Sequence, residues 1–284
     1  SSTPVVTGSL CPRGREGAVG SCPLEDQARK RCAMSGTREE NVFMARISEQ
    51  AERYEDMVEY MRRVAKMPDE LTIDERNLLS VAYKNSVGSR RQAWRAINIS
   101  EQKEGAVGGP EVLAEIRNYR LQVEQELNSK CFDILEILSS DLIPKATTGE
   151  SQVFYMKMKG DYHRYLAEFA SGDLHQKSAQ DAAESYQAAT ELAARELPPA
   201  NPIRLGLILN YSVFFNEVLG DAGQACQLAR TAFEEAAKVM DSLDDNEVRD
   251  SAQIMQLLRD NLALWTSGGG GGGGDQDGTA VEDL

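Results

Sequence analysis

Ile73 to Lys103 reads IDERNLLSVAYKNSVGSRRQAWRAINISEQK, thirty-one residues with one glycine and no proline. Nothing in it stops a helix, and its start is signalled. Thr72 can cap the first backbone N–H groups, and Asp74 and Glu75 put negative charge in the first turn. At about 100° per residue, Leu79, Tyr83, Val87, Trp94 and Ile97 share an arc of about 80°, a stripe for a core. Lys84, Gly88, Arg91 and Arg95 fall on a second stripe about 60° wide. That stripe is basic and has a gap at Gly88, where an anion could be received. A row of Lys and Arg on one helix face is also what an ordinary solvated surface looks like. What separates the two readings is whether other helices offer a matching face.

Working outward, the rest of the chain between Arg38 and Ser267 follows the same period. Helices are expected at Asn41 to Tyr54, Asp56 to Lys66, Val112 to Leu142, Glu150 to Ala170, Leu174 to Leu197, Ile203 to Leu219, Asp221 to Met240 and Asn246 to Ser267. Pro144, Pro198, Pro199, Pro202, Gly172, Gly220 and a Gly-rich break at 105–109 punctuate them. No strand alternation stands out. AAESYQAATELA (Ala182 to Ala193) is similar to one tetratricopeptide-type helix, so stacked antiparallel pairs are a physically sensible arrangement. Ser1 to Ala33 is rich in Gly, Pro, Ser and Cys and reads as disordered; Met34-Ser35-Gly36 looks like a start of translation. Gly268 to Gly274 is a glycine tether to an acidic end, and that end could fold back on a basic groove. The expected organisation is an extension over 1–37, one folded domain over 38–267 and a tail over 268–284.

Composition narrows the function. A net charge of −14 argues against nucleic-acid partners and against docking on anionic membranes, so an anion site must be a local basic cluster. The five cysteines have no C-x-x-C spacing and there are two histidines, which disfavours a metal site. No leader or membrane-length apolar run is apparent, so the chain reads as soluble and cytosolic, with the nucleus also compatible. No cofactor is implied. There is no G-x-S-x-G, no P-loop and no His placed beside a Ser or Cys, so an enzyme is not expected.

Three further faces complement the basic stripe. Lys157, Gly160, Asp161, Arg164 and Glu168 share one side of their helix, with Tyr165 beside them. They read either as surface ion pairs or as carboxylates holding arginines in fixed rotamers for an oxyanion. Gly206, Asn210, Val213 and Glu217 form another stripe. The last helix is apolar on two sides: Met255, Leu258 and Leu262 on one, and Ile254, Leu257, Leu264 and Trp265 around Asn261 on the other. A groove with a basic wall and an apolar wall would take an extended peptide bearing a phosphate. A tetratricopeptide-like scaffold gripping unmodified carboxylate or acidic peptides is the competing reading.

Four blocks carry a family likeness: RNLLSVAYKN (Arg76 to Asn85), VFYMKMKGDYHRYLAE (Val153 to Glu168), NPIRLGLILNYSVFFNEVL (Asn201 to Leu219) and DSAQIMQLLRDNLALWTS (Asp250 to Ser267). In order and in content they closely resemble 14-3-3 proteins. The resemblance implies an all-α fold of nine antiparallel helices in a concave, tetratricopeptide-like, dimeric bundle. It also implies a non-enzymatic adaptor that binds phosphoserine or phosphothreonine motifs of client proteins, as a homodimer or with related chains. By position, Lys84, Arg91, Arg164 and Tyr165 would contact the phosphate. Lys157, Leu209, Asn210, Val213, Glu217, Ile254, Leu257, Asn261, Leu264 and Trp265 would form the peptide groove. Ile47, Ala51, Arg53, Tyr54, Asp56, Tyr119 and Glu126 would make the dimer interface, with an Arg53–Glu126 pair. Four positions depart from the family pattern: Gln253 makes one groove wall more polar, Ala93 replaces a regulatory serine, Gln122 cannot pair with Asp56, and His163 replaces a tyrosine, with pH sensitivity expected if it faces the groove.

Overall fold

The computed structural model describes residues 36–107, 109–242 and 244–267; the expected extension before residue 36 and the glycine-rich acidic tail lie outside them. Among the described residues there are nine α-helices and no strand: α1 (Arg38–Gln50), α2 (Tyr54–Ala65), α3 (Ile73–Val107), α4 (Pro110–Ile137), α5 (Gly149–Phe169), α6 (Gly172–Glu196), α7 (Pro202–Glu217), α8 (Ala222–Ala237) and α9 (Asp245–Ser267). Helices adjacent in sequence pack on each other, α1 on α2, α3 on α4, α5 on α6 and α7 on α8, while α9 packs on both α7 and α8. No helix among the described residues is long and apolar enough to cross a membrane.

Local chemistry sets most boundaries. Thr37 and Glu40 form a reciprocal capping box at α1. Thr72 does the same with Glu75 at α3: the Glu75 amide donates to Thr72 Oγ1 at 3.3 Å and the Thr72 amide to Glu75 Oε2 at 2.8 Å. Asn201 caps α7 ahead of Pro202, whose missing N–H costs nothing in a first turn. Several boundaries differ from those expected, most of all at three places. Tyr54 opens α2 instead of closing α1, because the chain reverses at Glu52, which sits at φ 54. α3 runs through Gly105 to Val107, and α4 starts at Pro110. Finally, α4 ends at Ile137 and widens into a π-turn, Leu138–Leu142, just before Pro144, whose ring cannot follow a regular helix.

The largest core joins α2, α3, α4 and α5: Met57, Met61 and Val64 meet Leu79, Tyr83 and Val87, then Leu127, Ile134 and Leu166. Trp94 and Ile97, from the expected stripe, pack at its edge. A second core is built on small residues of α6, with Ala182, Ala189 and Ala193 against Leu207 and Phe214 of α7. The third joins Leu205 and Leu209 of α7 to Ala229, Ala236, Ile254 and Leu258. Close approach is tightest where α5 crosses α6: a Cβ at Gly160 would lie 2.7 Å from the Tyr186 ring, whereas one at Gly88 would meet nothing within 4 Å.

The two glycines should therefore respond oppositely to alanine. Gly160→Ala is expected to lower unfolding free energy by ~1–3 kcal/mol through overpacking. Gly88→Ala should raise it by ~0.5–1 kcal/mol, because alanine restricts the unfolded chain and meets no obstacle. Urea denaturation followed by circular dichroism measures both.

Candidate functional site

The basic stripe of α3 faces α5. Arg91 donates to Glu168 through both Nε (2.9 Å) and Nη2 (2.7 Å), a two-pronged pairing across the helices. Arg164 approaches the same carboxylate at 3.4 Å and Arg95 at 3.5 Å. The Arg91 guanidinium carbon lies 4.0 Å from the Tyr165 ring centroid and that of Arg164 lies 4.7 Å from it. Cations from two helices thus converge on one aromatic ring and one carboxylate. Lys84, two turns before Arg91 on the same face of α3, is exposed and has no ion pair among the described residues. Gly88 leaves the surface between them open.

Next to this cluster, Asp161 organises a buried polar network. Its Oδ2 accepts from Lys157 Nζ at 2.9 Å, while its Oδ1 accepts from Tyr186 OH at 2.5 Å and from Asn210 Nδ2 at 2.8 Å. Arg164 Nε in turn donates to Tyr186 OH at 3.1 Å. Burial raises the Tyr186 phenol well above its ordinary value, and Asp161 adds to this, so the hydroxyl stays protonated and donates. Two amide atoms in this region have no partner among the described residues, the buried Asn210 Oδ1 and the buried Asn261 Nδ2 on α9. One is an acceptor and the other a donor, the pair a peptide backbone would satisfy.

The remaining expected groove residues divide. Leu257 and Trp265 are half-buried and Leu264 is 44% exposed, so α9 retains an apolar outer face. Leu209 and Ile254 are members of the third core, and Val213 is buried. Leu209 and Val213 are buried because α7 is apolar on all sides and is covered on more than one. Glu217 is the last residue of α7. His163 does not join the arginines: it faces α6, with Nδ1 3.9 Å from Asp181. Burial holds its pKa below the usual value against the pull of Asp181, with Lys159 and Lys177 reinforcing the depression. Tyr186 was not anticipated from sequence. It sits among alanines on the core face of α6, and only its hydroxyl, reaching across to Asp161, marks it. Among the described residues no cluster of His, Cys, Asp or Glu is placed to hold a metal ion.

A second surface lies on the other side of α3. Arg53, Tyr54, Asp56, Tyr119 and Glu126 line a cleft of about 620 Å³ together with Ala93 and Gln122. Tyr119 and, on α1, Ile47 are exposed, as is Ala51 just past that helix's end. The expected Arg53–Glu126 pair is absent within the described chain. Arg53 pairs with Asp56 one turn away, and Glu126 accepts from Arg90 Nε at 2.8 Å, because these partners are nearer in a single copy. Arg90 also donates to Glu55, which Lys130 and the Ser86 hydroxyl hold as well. Burial alone would raise the Glu55 carboxyl, but these donors overcome it and hold it down from 4.5 to about 2.

A helical bundle with arginines gathered beside unsatisfied amides and an apolar helix face defines a class: an adaptor that grips segments of other proteins. Comparison makes it specific. The family model described as "14-3-3 protein" matches residues 44–266. The chain is 56% identical over 230 residues to 14-3-3 protein epsilon of Drosophila melanogaster, covering 81% of this chain and 88% of that protein. It is 55% identical over 235 residues to protein BMH2 of Saccharomyces cerevisiae (82% and 86% covered). It is 54% identical over 234 residues to the checkpoint signal transducer rad25 of Schizosaccharomyces pombe (82% and 87% covered). The chain belongs to the 14-3-3 family, whose members are adaptors and not enzymes.

Since the Glu55 carboxyl has a lower pKa folded than unfolded, its contribution is fully present above pH 4.5 and is lost as pH falls through about 2. Glu55→Gln should be less stable than the parent at neutral pH, with the difference shrinking steadily below pH 4.5. Denaturant midpoints measured across that range check it.

Proposed function

We propose that the face shared by α3, α5, α7 and α9 binds peptides carrying phosphoserine or phosphothreonine. The observation that carries this is the convergence of Arg91 and Arg164 on the Tyr165 ring. A phosphate brings a charge of about −1.5 to −2 and three acceptor oxygens, which matches two guanidinium groups, a nearby ammonium and a phenol. Lys84, across the open ground at Gly88, is that ammonium. The buried, unpartnered Asn210 Oδ1 and Asn261 Nδ2 support backbone recognition, and Leu257, Leu264 and Trp265 supply an apolar wall. Lys157, Leu209, Val213, Glu217 and Ile254 complete the proposed groove, several of them from beneath.

The clients are phosphorylated proteins of signalling pathways in the cytoplasm or nucleus. The protein acts as a dimer, homotypic or with a related chain, through the cleft that holds Tyr119 and Glu126 and the α1 face that carries Ile47. In the dimer Arg53 and Glu126 exchange their present partners for each other across the interface. An acidic tail competing for the same groove would tighten ligand binding when removed after Ser267.

An array of matched phosphorylated and unphosphorylated peptides tests the reading, followed by fluorescence anisotropy on the tightest binder. Lys84→Glu and Arg91→Ala should each weaken the phosphorylated peptide by ~10–100-fold or more, given ~1.5–3 kcal/mol per hydrogen bond to a charged group. Helicity should be unchanged. Equal affinity for both peptide forms, or competition by peptides bearing only a C-terminal carboxylate, would favour a carboxylate-binding scaffold. Ile47→Glu with Tyr119→Glu should shift sedimentation toward the monomer.

A further inference from the structure

The polar network around Asp161 does more than fill a core. An ionised carboxylate can only accept hydrogen bonds, so the group that Asn210 presents to Asp161 Oδ1 has to be its Nδ2 amide nitrogen, here at 2.8 Å. That contact sets the orientation of the whole planar amide and leaves Asn210 Oδ1 turned from the carboxylate, buried and with no partner among the described residues. An isolated buried acceptor is costly, and it persists here because the surrounding contacts over-determine it. Tyr186 OH shares the same Asp161 oxygen and accepts from Arg164 Nε, so one carboxylate links Asn210 to Arg164. Lys157 holds the other oxygen.

We propose that Asp161 is a positioning residue for peptide recognition: by accepting from Asn210 Nδ2 it keeps Asn210 Oδ1 available as the acceptor for one backbone N–H of the bound peptide. The inference rests on the phosphopeptide reading given above. Asp161 itself, almost fully buried behind Asn210, Lys157 and Tyr186, acts through these neighbours rather than on the ligand. Without its acceptor, the Asn210 amide has no reason to favour one orientation over its flip, and the acceptor facing the peptide is lost in part of the population.

The experiment uses the full chain and the tightest phosphoserine peptide, prepared as a series in which each backbone amide in turn is replaced by an ester. An ester removes one N–H donor with little change of shape. In the parent protein, one ester is expected to weaken binding by about ten-fold, and Asn210→Ala should abolish that difference, which identifies the amide that Asn210 reads. Asp161→Ala should weaken the all-amide peptide and bring the ester-to-amide ratio at that position to about one. Asp161→Asn keeps an oxygen for Asn210 Nδ2 and Tyr186 and should restore most of the ratio. If Asp161→Ala fails to fold, the double variant Lys157→Met with Asp161→Leu, which removes both charges of the buried pair, is read by the same ratio.

A ten-fold ester effect that persists without the Asp161 acceptor overturns the proposal. So does its loss in Asp161→Asn, which would make the charge and not the acceptor responsible, and so does the lack of any ester effect tied to Asn210. Loss of the parent's preference for the phosphorylated peptide would instead strike the phosphopeptide reading, and the two failures are separable because that preference is measured without any variant.

Discussion

Like charges must be held together before this protein can do anything with an anion. Arg91 and Arg164 come from different helices and approach the same ring, an arrangement that mutual repulsion would disperse if nothing opposed it. Glu168 opposes it by accepting from Arg91 at two points and attracting Arg164 and Arg95, and Asp161 anchors the other side of Arg164. These carboxylates neutralise the cluster enough to let it be partly buried, with Arg164 only 1% exposed. Burial in turn restricts the side chains to one geometry, so that a ligand meets donors already in place. A local excess of cations can therefore survive inside a chain of net charge −14.

The fold serves that cluster. α3 and α5 bring their basic faces together only because the core beneath them, built on Tyr83, Val87, Tyr162 and Leu166, sets how the two helices are rotated. The near contact of Gly160 with Tyr186 allows α6 to lie close to α5, which is what places the Tyr186 hydroxyl beside both Asp161 and Arg164. α7 then contributes Asn210 to the same carboxylate. The arginine cluster and the Asn210 amide are thus linked through one buried network, and a change at either end is felt at the other. On the opposite side of α3, Arg90, Glu55, Lys130 and Glu126 form a separate network under the cleft, so the two surfaces draw on different residues of the same helix.

Much of the helical layout was legible in the sequence, because capping, proline and glycine act through neighbours a few residues away. Thr72 at the start of α3 and Pro202 at the start of α7 are such cases. The boundaries that moved include the reversal at Glu52 and the π-turn ahead of Pro144, where backbone conformations that periodicity does not encode end the helix. Periodicity separated the basic stripe of α3 from its apolar one correctly, since a helix face depends only on residue spacing. It could not say that Leu209 is a core member, because α7 offers apolar residues all round and only packing selects among them.

By itself, then, the sequence determined a helical chain, the faces each helix carries, and family membership through motifs in order. Tertiary structure decided which of those faces meet. That Arg91 and Arg164 share Glu168, that His163 turns to Asp181 instead, that Glu126 takes Arg90, and that Asp161 sets the Asn210 amide are contacts between helices far apart in the chain. The physical reason is that residue spacing fixes angles about one helix axis, while distances between axes depend on how all the side chains of the core fit together.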